Sequence, residues 1–384
     1  MAPSVDVLVI GAGPAGIASA IAASLRGLRA TVVDGRKPPI DKACGEGLLP
    51  LAVSSLRRLG IPIRPPAALP FVGIRFADGK SSASAAISCG DAFGLRRTLL
   101  QQLLIERAGE VGVSFQWGAP VASLEMLSAR SADPIASNRS RIAARIGSHT
   151  IACRWLVGAD GQNSMVRKWA GLDPRRPFRR RFGFRRHYRV APWTNYVEAH
   201  WGHRAQMILT PTGADEICIS FMTSEPHLRI ERALVQFPEV AVHLRGAAAS
   251  SPEIGSLTAL GRARAATRGS VALVGDASCT VDGVSGQGLA LAFQEAVALG
   301  EALAGENLSL YEEAHRRITD RAMRMARLML LMDRSAWIRR KALRLFEANP
   351  ALYARMIAAH TGDAEAEDLS SRDIFGLGWG VLRT

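Results

Sequence analysis

The chain has 384 residues, of which 48% are hydrophobic, so wholesale disorder is excluded and either two domains or one large α/β domain with insertions can form. Lys and Arg outnumber Asp and Glu by 48 to 34, and the net charge of +14 favours phosphates, anionic lipids or acidic carriers as binding partners. No apolar run reaches the roughly 18 residues of a membrane-spanning helix, and the five scattered cysteines indicate neither a disulfide framework nor a metal site.

The N-terminal segment predicts a strand that leads into a phosphate-binding turn. Residues 7–10 are apolar, as in a parallel strand that is buried on both faces. Three glycines follow at the spacing that dinucleotide-binding turns use. Gly11 permits a tight turn, Gly13 lets the backbone approach a pyrophosphate, and Gly16 lets the next helix pack close to the strand.

The remainder of a βαβ unit is predicted directly after these glycines. A helix over residues 14–26 begins with Pro14 and Ala15, and its free N–H groups would face the phosphates. A second strand over residues 30–33 ends at Asp34, near the distance of about 20 residues at which an acid holds ribose hydroxyls. Dinucleotide binding is the preferred interpretation, and a glycine turn that serves packing alone is the alternative.

Helices and strands alternate through the following residues. The predicted helices cover residues 51–59 and 97–108, the second one because its leucines recur at helical spacing. The predicted strands lie within 71–90 and at 113–117, 149–153 and 155–159, with a polar insertion at 128–141. Strand-like segments then follow at 181–189, 196–201, 206–209 and 216–222, and they predict an antiparallel sheet. The chain is predicted to be helical from residue 311 onward.

This order predicts an α/β fold in which a Rossmann-like nucleotide-binding domain is interrupted by an antiparallel sheet domain. The nucleotide-binding domain is assigned to residues 1–70, 91–170 and 269–310. A substrate domain is assigned to residues 71–90 and 171–268, and a C-terminal helical region to residues 311–384. The dinucleotide would lie along the carboxyl ends of the parallel strands.

Two later segments indicate which dinucleotide is bound. Residues 158–167 read Gly-Ala-Asp-Gly-Gln-Asn-Ser-Met-Val-Arg, and residues 269–290 contain Val-Gly-Asp and, further on, Gly-Val-Ser-Gly-Gln-Gly-Leu. Together with the N-terminal glycines they resemble the glutathione-reductase-type FAD-dependent oxidoreductases, in particular the flavoprotein monooxygenase (aromatic hydroxylase) and geranylgeranyl reductase branch. The resemblance covers most of residues 1–305 and implies FAD as the cofactor.

The resemblance also implies roles for individual residues. Asp276 would accept a hydrogen bond from the ribityl chain, and the helix that opens after Gly283 would point its N-terminus at the flavin pyrimidine. Arg97 would contact the pyrophosphate, with Arg96 as the alternative, and Arg36 would lie near the adenosine or be a solvated surface residue. The implied cofactor-binding residues are Gly11, Gly13, Pro14, Ala15, Gly16, Asp34, Gly35, Arg36, Cys44, Gly45, Arg97, Ala159, Asp160, Gly161, Gly275, Asp276, Gly286, Gly288 and Leu289.

Cys44, Gly283 and Gln287 are predicted to be catalytic. Cys44 lies in a Cys-Gly-Glu-Gly sequence that resembles a loop beside the flavin in geranylgeranyl reductases and in several monooxygenases of lipid-like substrates. Its thiol could donate a proton or merely pack. Aromatic hydroxylases usually carry His and Pro where this chain has Cys279 and Gly283, and the glycine predicts a more flexible loop over the flavin.

The resemblance predicts an FAD-dependent monooxygenase of secondary metabolism with NAD(P)H as a transient reductant. Its substrate would be an apolar, aromatic, polyketide-like or lipid-like small molecule, free or carrier-bound, that becomes hydroxylated or epoxidised. No second glycine fingerprint indicates a separate NAD(P)H domain. The alternatives are an ene reductase similar to geranylgeranyl reductase, a flavin halogenase, whose paired-tryptophan signature is missing, and a non-catalytic flavoprotein.

A cytoplasmic location is predicted, because the first strand begins within five residues and no signal peptide precedes it. Residues 334–361 alternate basic and apolar residues at helical spacing, so this segment could lie on the inner face of a membrane, hold an apolar substrate or simply dock on the cofactor domain. The arginine clusters are interleaved with apolar residues, and this pattern disfavours nucleic acid as a partner.

Overall fold

The computed structural model describes residues 4–127, 141–174 and 179–362. Its strands are β1 (Ser4–Ile10), β2 (Ala30–Asp34), β3 (Gly47–Leu48), β4 (Leu69–Pro70), β5 (Gly73–Ala77), β6 (Ser82–Ala86), β7 (Phe93–Gly94), β8 (Ser114–Trp117), β9 (Val121–Met126), β10 (Ile142–Ile146), β11 (His149–Gly158), β12 (Arg179–Arg189), β13 (Tyr196–Trp201), β14 (Ala205–Gly213), β15 (Glu216–Thr223), β16 (Ala248–Ala249), β17 (Ile254–Arg262), β18 (Thr267–Arg268), β19 (Val271–Leu273) and β20 (Cys279–Thr280). Its α-helices are α1 (Pro14–Ser24), α2 (Pro50–Arg58), α3 (Arg97–Glu110), α4 (Met165–Trp169), α5 (Ile230–Ala233), α6 (Pro238–His243), α7 (Gly288–Ala304), α8 (Leu308–Arg334), α9 (Ala336–Ala348) and α10 (Pro350–Thr361). Most of the predicted polar insertion, part of one arginine cluster and the end of the C-terminal region lie outside the described residues.

The first sheet has the strand order β18-β19-β11-β1-β2-β8, and its central strands run parallel. Val7, Leu8 and Val9 are fully buried in β1, because helices cover one face of the sheet and further apolar side chains cover the other. On one face α1 packs against both α3 and α7. The predicted α/β class is confirmed.

One strand of this sheet is longer than predicted. The two predicted strands at 149–153 and 155–159 form the single strand β11, against which β10 pairs as a hairpin. Arg154 interrupts the apolar run between the two predicted strands, but its side chain reaches outward to an ion pair with Glu306. A charged residue whose head group reaches the surface does not end a strand.

The second sheet has the order β20-β17-β12-β15-β14-β13-β5-β6, with β16 added on β12. Its neighbours are antiparallel with the exception of β13 and β5, which run parallel. The prediction of an antiparallel sheet is therefore incomplete. The β5–β6 hairpin belongs to an earlier part of the chain, and no tight turn forces it to run against β13. A small third sheet joins β3, β7 and β4.

The last two helices pack on the second sheet. Phe346 and Tyr353 share a buried cluster with Phe76 of β5, and the rings of Phe76 and Tyr353 are 5.5 Å apart. The expectation that this segment could dock on the cofactor domain holds only for its end: the apolar faces of α9 and α10 meet β6, while the His360 carbonyl oxygen of α10 accepts from Gln287. None of the described helices combines the length and the apolar composition that crossing a membrane requires.

A buried histidine on β13 links two acidic residues. The ring of His200 lies 2.9 Å from Glu198 and 3.0 Å from Glu239. Burial lowers the pKa of His200, but its hydrogen bonds and charge interactions with both carboxylates outweigh burial and raise the pKa above 6.5. The same contacts hold the pKa of Glu198 and of Glu239 below 4.5, although burial opposes this for both carboxylates.

Replacing this histidine is expected to change the pH dependence of stability. The His200 contribution is complete below its unfolded pKa and is lost as the pH rises through the higher folded value, while the Glu contributions are lost as the pH falls. We expect His200→Phe to lower the free energy of unfolding by about 2 kcal/mol near pH 5.5 and by less near pH 8.5. Urea unfolding at both pH values measures this, with the exposed His149→Gln as the control. Equal losses at both pH values would contradict the assigned charge state.

Candidate functional site

A cavity of about 660 Å³ lies where the carboxyl ends of β1 and β2 face the second sheet. Its apolar lining consists of Phe71, Ile74, Phe76, Val197, Ala199, Ile208, Met222 and Met329. The predicted cofactor residues that line it are Gly11, Gly13, Pro14, Ala15, Asp34, Gly35, Arg36, Cys44, Gly45, Arg97, Ala159, Asp160, Gly161, Gly275, Asp276, Gly286, Gly288 and Leu289, together with Gly283. The structure therefore brings together segments that are up to 278 residues apart in the chain.

The three N-terminal glycines have different surroundings. Gly11 has a φ of +107°, and a Cβ there would lie 2.4 Å from the Ala159 carbonyl oxygen. A Cβ on Gly16 would lie 1.9 Å from the Gly11 oxygen, so Gly16 supports the turn from behind and does not line the cavity. Gly13 lines the cavity with nothing within 4 Å of its Cβ position, which leaves the room that a pyrophosphate needs.

Asp34 ties the glycine turn to the end of β2. Its Oδ2 accepts from the Ala12 N–H at 2.9 Å, and its Oδ1 accepts from the Arg36 N–H at 2.8 Å. A carboxylate has further lone pairs for ribose hydroxyls. The Arg36 side chain is 65% exposed at the edge of the cavity, an environment compatible with both interpretations of this residue.

The structure separates the two neighbouring arginines that the sequence could not tell apart. Arg96 forms an ion pair with Glu216 of β15, and this hydrogen bond raises the pKa of the guanidinium. Arg97 instead lines the cavity at the N-terminus of α3, and its Nε is buried without a hydrogen-bond partner among the described residues. A buried guanidinium nitrogen that faces a cavity beside a helix N-terminus fits an anionic group such as a pyrophosphate.

Replacing either arginine is expected to have different consequences. Arg97→Met removes a charge-assisted contact and is expected to weaken FAD binding about 10- to 100-fold. Arg96→Met, the matched neighbour, is expected to change FAD affinity less than about two-fold, because its guanidinium is directed to Glu216. Titration of the apoprotein with FAD, followed by flavin fluorescence, measures both. A larger loss for Arg96→Met would reverse the assignment.

Asp160 lies beside the glycine turn and lines the same cavity. Its Oδ2 accepts from the N–H groups of Met165 and Val166, at 2.6 and 3.1 Å, and so caps α4. Its Oδ1 is buried without a hydrogen-bond partner among the described residues. Arg167 supports the same loop by donating to the carbonyl oxygens of Gln162 and Ala277.

Asp276 follows β19 and faces the cavity from a loop that a buried carboxyl group supports. Its Oδ2 accepts from the Lys42 Nζ at 2.8 Å. The preceding Gly275 donates its N–H to Glu295 of α7 at 2.5 Å, and Ser278 also bonds Glu295. Burial raises the pKa of Glu295 to about 8. Lys42 and Glu295 are therefore further residues that hold this part of the site.

The loop at Gly283 is held by contacts with the second sheet. The Gly283 N–H donates to the Thr258 hydroxyl at 2.7 Å. Next to it, both carboxylate oxygens of the buried Asp282 accept from Arg181, at 2.6 and 3.0 Å. The second sheet thus supplies restraints at this loop, and the prediction that Gly283 makes it more flexible than a proline would stays a prediction.

Gln287 does not line the large cavity. Its amide Nε2 donates to the carbonyl oxygen of His360 in α10 at 2.7 Å, and the side chain lines a separate, smaller cavity. The interpretation of Gln287 as a residue that acts on the substrate is corrected by this placement. The side chain is directed away from the cavity because Gly286 and Gly288 on either side bring the backbone, not the amide, to the cavity surface.

Glu46 is the centre of a buried charged cluster beside Cys44. It is 2% exposed, its Oε2 lies 2.6 Å from the His187 Nε2, and its Oε1 accepts from the Arg97 N–H at 3.1 Å. Arg185 Nη1 lies 3.0 Å from the His187 Nδ1. Because a guanidinium cannot accept a hydrogen bond, Nδ1 is the acceptor and the His187 proton is on Nε2, directed at Glu46.

The same cluster joins the Cys44 loop to the second sheet. Arg185 also pairs with Asp41 at 2.5 Å, and the Cys44 carbonyl oxygen accepts from the Ser220 hydroxyl at 3.0 Å. The atoms of Glu46, His187 and Cys218 that could coordinate a metal ion lie within 4.8 Å of one another, a spacing that metal ligands also show. The adjacent Arg185 guanidinium opposes a further cation there. Sequence reading missed Arg185 and His187, since only strand pairing brings β12 to this loop.

Comparison with known proteins adds to this geometry. A family model described as FAD binding domain matches residues 4–329. The chain belongs to this family. Its membership in the FAD binding domain family and the residues that line the cavity agree on FAD as the cofactor. The narrower assignment to the glutathione-reductase type and its geranylgeranyl reductase branch stays a prediction.

Individual relatives of this FAD binding domain protein include a reductase and a hydroxylase. A Menaquinone reductase from Mycolicibacterium smegmatis is 31% identical over 170 residues, which are 43% of this chain and 40% of that protein. A 3-(3-hydroxy-phenyl)propionate/3-hydroxycinnamic acid hydroxylase from Mycobacterium avium is 31% identical over 184 residues, 44% of this chain and 31% of that protein. The aligned regions thus span less than half of either relative. Both names describe redox enzymes, which supports the predicted class of FAD-dependent oxidoreductase.

Among solved structures, a flavoprotein/dehydrogenase from Cytophaga hutchinsonii has a TM-score of 0.82 and 16% sequence identity. The superposition covers 99% of this chain and 98% of that chain. At this identity the similarity shows a shared fold, which includes both the FAD-binding part and the second sheet.

Proposed function

We propose that this protein is an FAD-dependent monooxygenase that uses NAD(P)H and hydroxylates or epoxidises an apolar, aromatic, polyketide-like or lipid-like small molecule. The observation that carries the proposal is the continuity of one cavity. Its glycine-lined part has the features of an FAD site, and its other part is walled by apolar side chains of the second sheet, such as Ile208 and Met222. A hydroxylase among the relatives supports the same reaction class.

Each part of this site would contribute differently to the reaction. The bound FAD would supply hydride acceptance from NAD(P)H and activation of dioxygen. The N–H groups that open α7 near Gly288 would stabilise negative charge on the reduced flavin. The apolar walls would hold the substrate and exclude water from the reacting atoms. The hydroxyls of Thr210 and Ser220, which also line the cavity, offer the few polar contacts that orient a substrate.

Substrate-stimulated NAD(P)H oxidation with labelled dioxygen tests this proposal. We expect label in the product and consumption of about one NAD(P)H per product. Val197→Trp should fill the apolar part of the cavity and abolish product formation, while the protein retains its FAD. NAD(P)H consumption without label in any product, over apolar, aromatic and prenyl substrates, would reject the monooxygenase.

An ene reductase is the second candidate, because one relative is named a Menaquinone reductase and Cys44 lies on the cavity wall. In such a reaction the FAD, once reduced by NAD(P)H, would supply a hydride to one alkene carbon and be reoxidised, and the Cys44 thiol would donate the proton to the other carbon. We expect anaerobic reduction of a prenyl alkene only in this case. Cys44→Ala would then lower kcat at least about ten-fold and Cys44→Ser less, whereas a monooxygenase would be affected by neither.

The exposed surface of α9 combines an aromatic side chain with basic side chains. Trp337 is 50% exposed, the Lys341 Nζ lies 4.4 Å from its ring centre, and the exposed Arg340 and Arg344 lie on the same helix. We propose that this face contacts anionic lipid, since an exposed tryptophan among cations is typical of interfacial helices. Flotation with phosphatidylglycerol vesicles should decrease for Trp337→Ser and at high salt. Equal flotation of Trp337→Ser and the unaltered protein would reject the contact.

A further inference from the structure

A second cavity of about 230 Å³ lies between the start of α2 and helices α7, α8 and α10. Its apolar wall is formed by Leu49, Leu51, Ala290, Leu291, Ile318 and Ala322. Its polar wall carries Arg321, Gln287 and His360, and the exposed Arg317 adds positive charge at the rim. None of these polar residues has a role in the FAD site described above.

Arg321 lines this cavity, and one edge of its guanidinium has no hydrogen-bond partner among the described residues. Both its Nε and its Nη2 are buried and have no hydrogen-bond partner among the described residues. No carboxylate in the described part of the chain forms a salt bridge with it. Burying part of a cationic group without an acceptor is costly, so the arrangement suits a bound anion. The Nε–Nη2 edge matches the two oxygens of a carboxylate.

Gln287 and His360 present acceptors to the same cavity. The Gln287 Nε2 is committed to the His360 carbonyl oxygen, which leaves the Gln287 Oε1 buried and without a partner among the described residues. The ring of His360 bonds the backbone of Ser285, and its Nδ1 has no hydrogen-bond partner in the described part of the chain. Burial, aided by the charge of Arg321, lowers the pKa of His360 to about 4, so the ring is neutral and Nδ1 accepts.

We infer that this cavity binds a small carboxylic acid that also carries a hydroxyl group. The carboxylate would bond the Arg321 edge, and the hydroxyl would donate to the Gln287 Oε1 or the His360 Nδ1. The carbon body would pack on Leu291 and Ile318. A cavity of about 150 Å³ can hold benzene, so the larger volume here accommodates one aromatic ring with two substituents. Leu49 and His360 line both cavities, which places this site next to the substrate cavity but outside it.

Calorimetric titration of the FAD-loaded protein tests this inference with three probes. These are 3-hydroxybenzoate, benzoate, which lacks the hydroxyl donor, and phenol, which lacks the carboxylate. We expect 3-hydroxybenzoate to bind about ten-fold more tightly than benzoate and at least that much more tightly than phenol. Arg321→Met should reduce the affinity for 3-hydroxybenzoate to that for phenol. Arg327→Met, an exposed arginine on the same helix, should leave it unchanged.

Gln287→Met tests recognition of the hydroxyl group separately from recognition of the carboxylate. It should reduce the preference for 3-hydroxybenzoate over benzoate and leave benzoate binding intact. The inference is overturned if none of the probes binds at millimolar concentration, or if chloride or phosphate competes as well as benzoate does. Binding that survives Arg321→Met also overturns it, because the ligand would then occupy another site such as the large cavity. The readout is binding alone, so it is independent of whether the protein is a monooxygenase.

Discussion

Gly13→Val is expected to produce a folded protein that no longer retains FAD. The backbone at Gly13 has φ −73° and ψ 173°, which valine adopts readily, and nothing described lies within 4 Å of the new Cβ. The added methyl groups would instead occupy the space in which the pyrophosphate must approach the backbone. We expect FAD affinity to fall at least about 100-fold, since a rigid turn cannot give way to the overlap.

The flavin absorbance of the purified protein and its urea unfolding midpoint measure this prediction together. Gly109→Val is the matched control, because Gly109 is an exposed glycine with equally open surroundings in α3, far along the helix from the cavity. It should keep the yellow colour. A yellow Gly13→Val protein would show that the cofactor does not lie against this turn. A colourless control would show that the loss is unspecific.

Glu46→Ala is expected to cause the largest loss of stability among single substitutions near the site. It leaves Arg185 and His187 buried without their central carboxylate and removes the acceptor for the Arg97 N–H. Removing one partner of a buried charged network typically costs about 3–5 kcal/mol. Urea unfolding of the FAD-free protein measures the free energy directly.

Two further substitutions make the result specific. Glu46 has a φ of +59°, so Glu46→Gly relieves backbone strain and should be about 1 kcal/mol less harmful than Glu46→Ala while still losing the carboxylate. Glu110→Ala breaks an exposed pair with Arg107 and should cost less than about 1 kcal/mol. If Glu46→Ala costs no more than Glu110→Ala, the cluster does not hold the Cys44 loop to the second sheet.

The FAD-binding part of the fold was predictable because its information is local. A glycine turn, its strand and its helix depend on neighbouring residues, and the elements from β1 through Asp34 lie within three residues of their predicted bounds. The segments around Asp160 and Asp276 were recognisable for the same reason. Their lining of one cavity with Gly13 agrees with the prediction, although the individual contacts to FAD stay predictions.

The second sheet was predictable as strands but not in its pairing. The parallel contact of β13 with β5 joins residues more than 110 positions apart, and no sequence pattern encodes such a partner. The same limit applies to Arg185 and His187, whose function in the cluster depends on a loop on another element. It also applies to Gln287, since its position between two glycines was visible but the direction of its side chain depends on α10.

Local backbone requirements and apolar periodicity thus specified the α/β class and the glycine turn, because steric limits on glycine and burial of strands act over a few residues. The choice of FAD came instead from the resemblance of the segments around Asp160 and Asp276 to known FAD-dependent oxidoreductases. Which charged side chains meet in the interior depended on how distant strands and helices pack. Arg96 and Arg97 make this plain: they are adjacent in the chain, yet one pairs with Glu216 and the other faces the cavity. A buried charged side chain without a partner is destabilising. The assembled fold, and not the neighbouring residues in the chain, therefore determines which side chains pair.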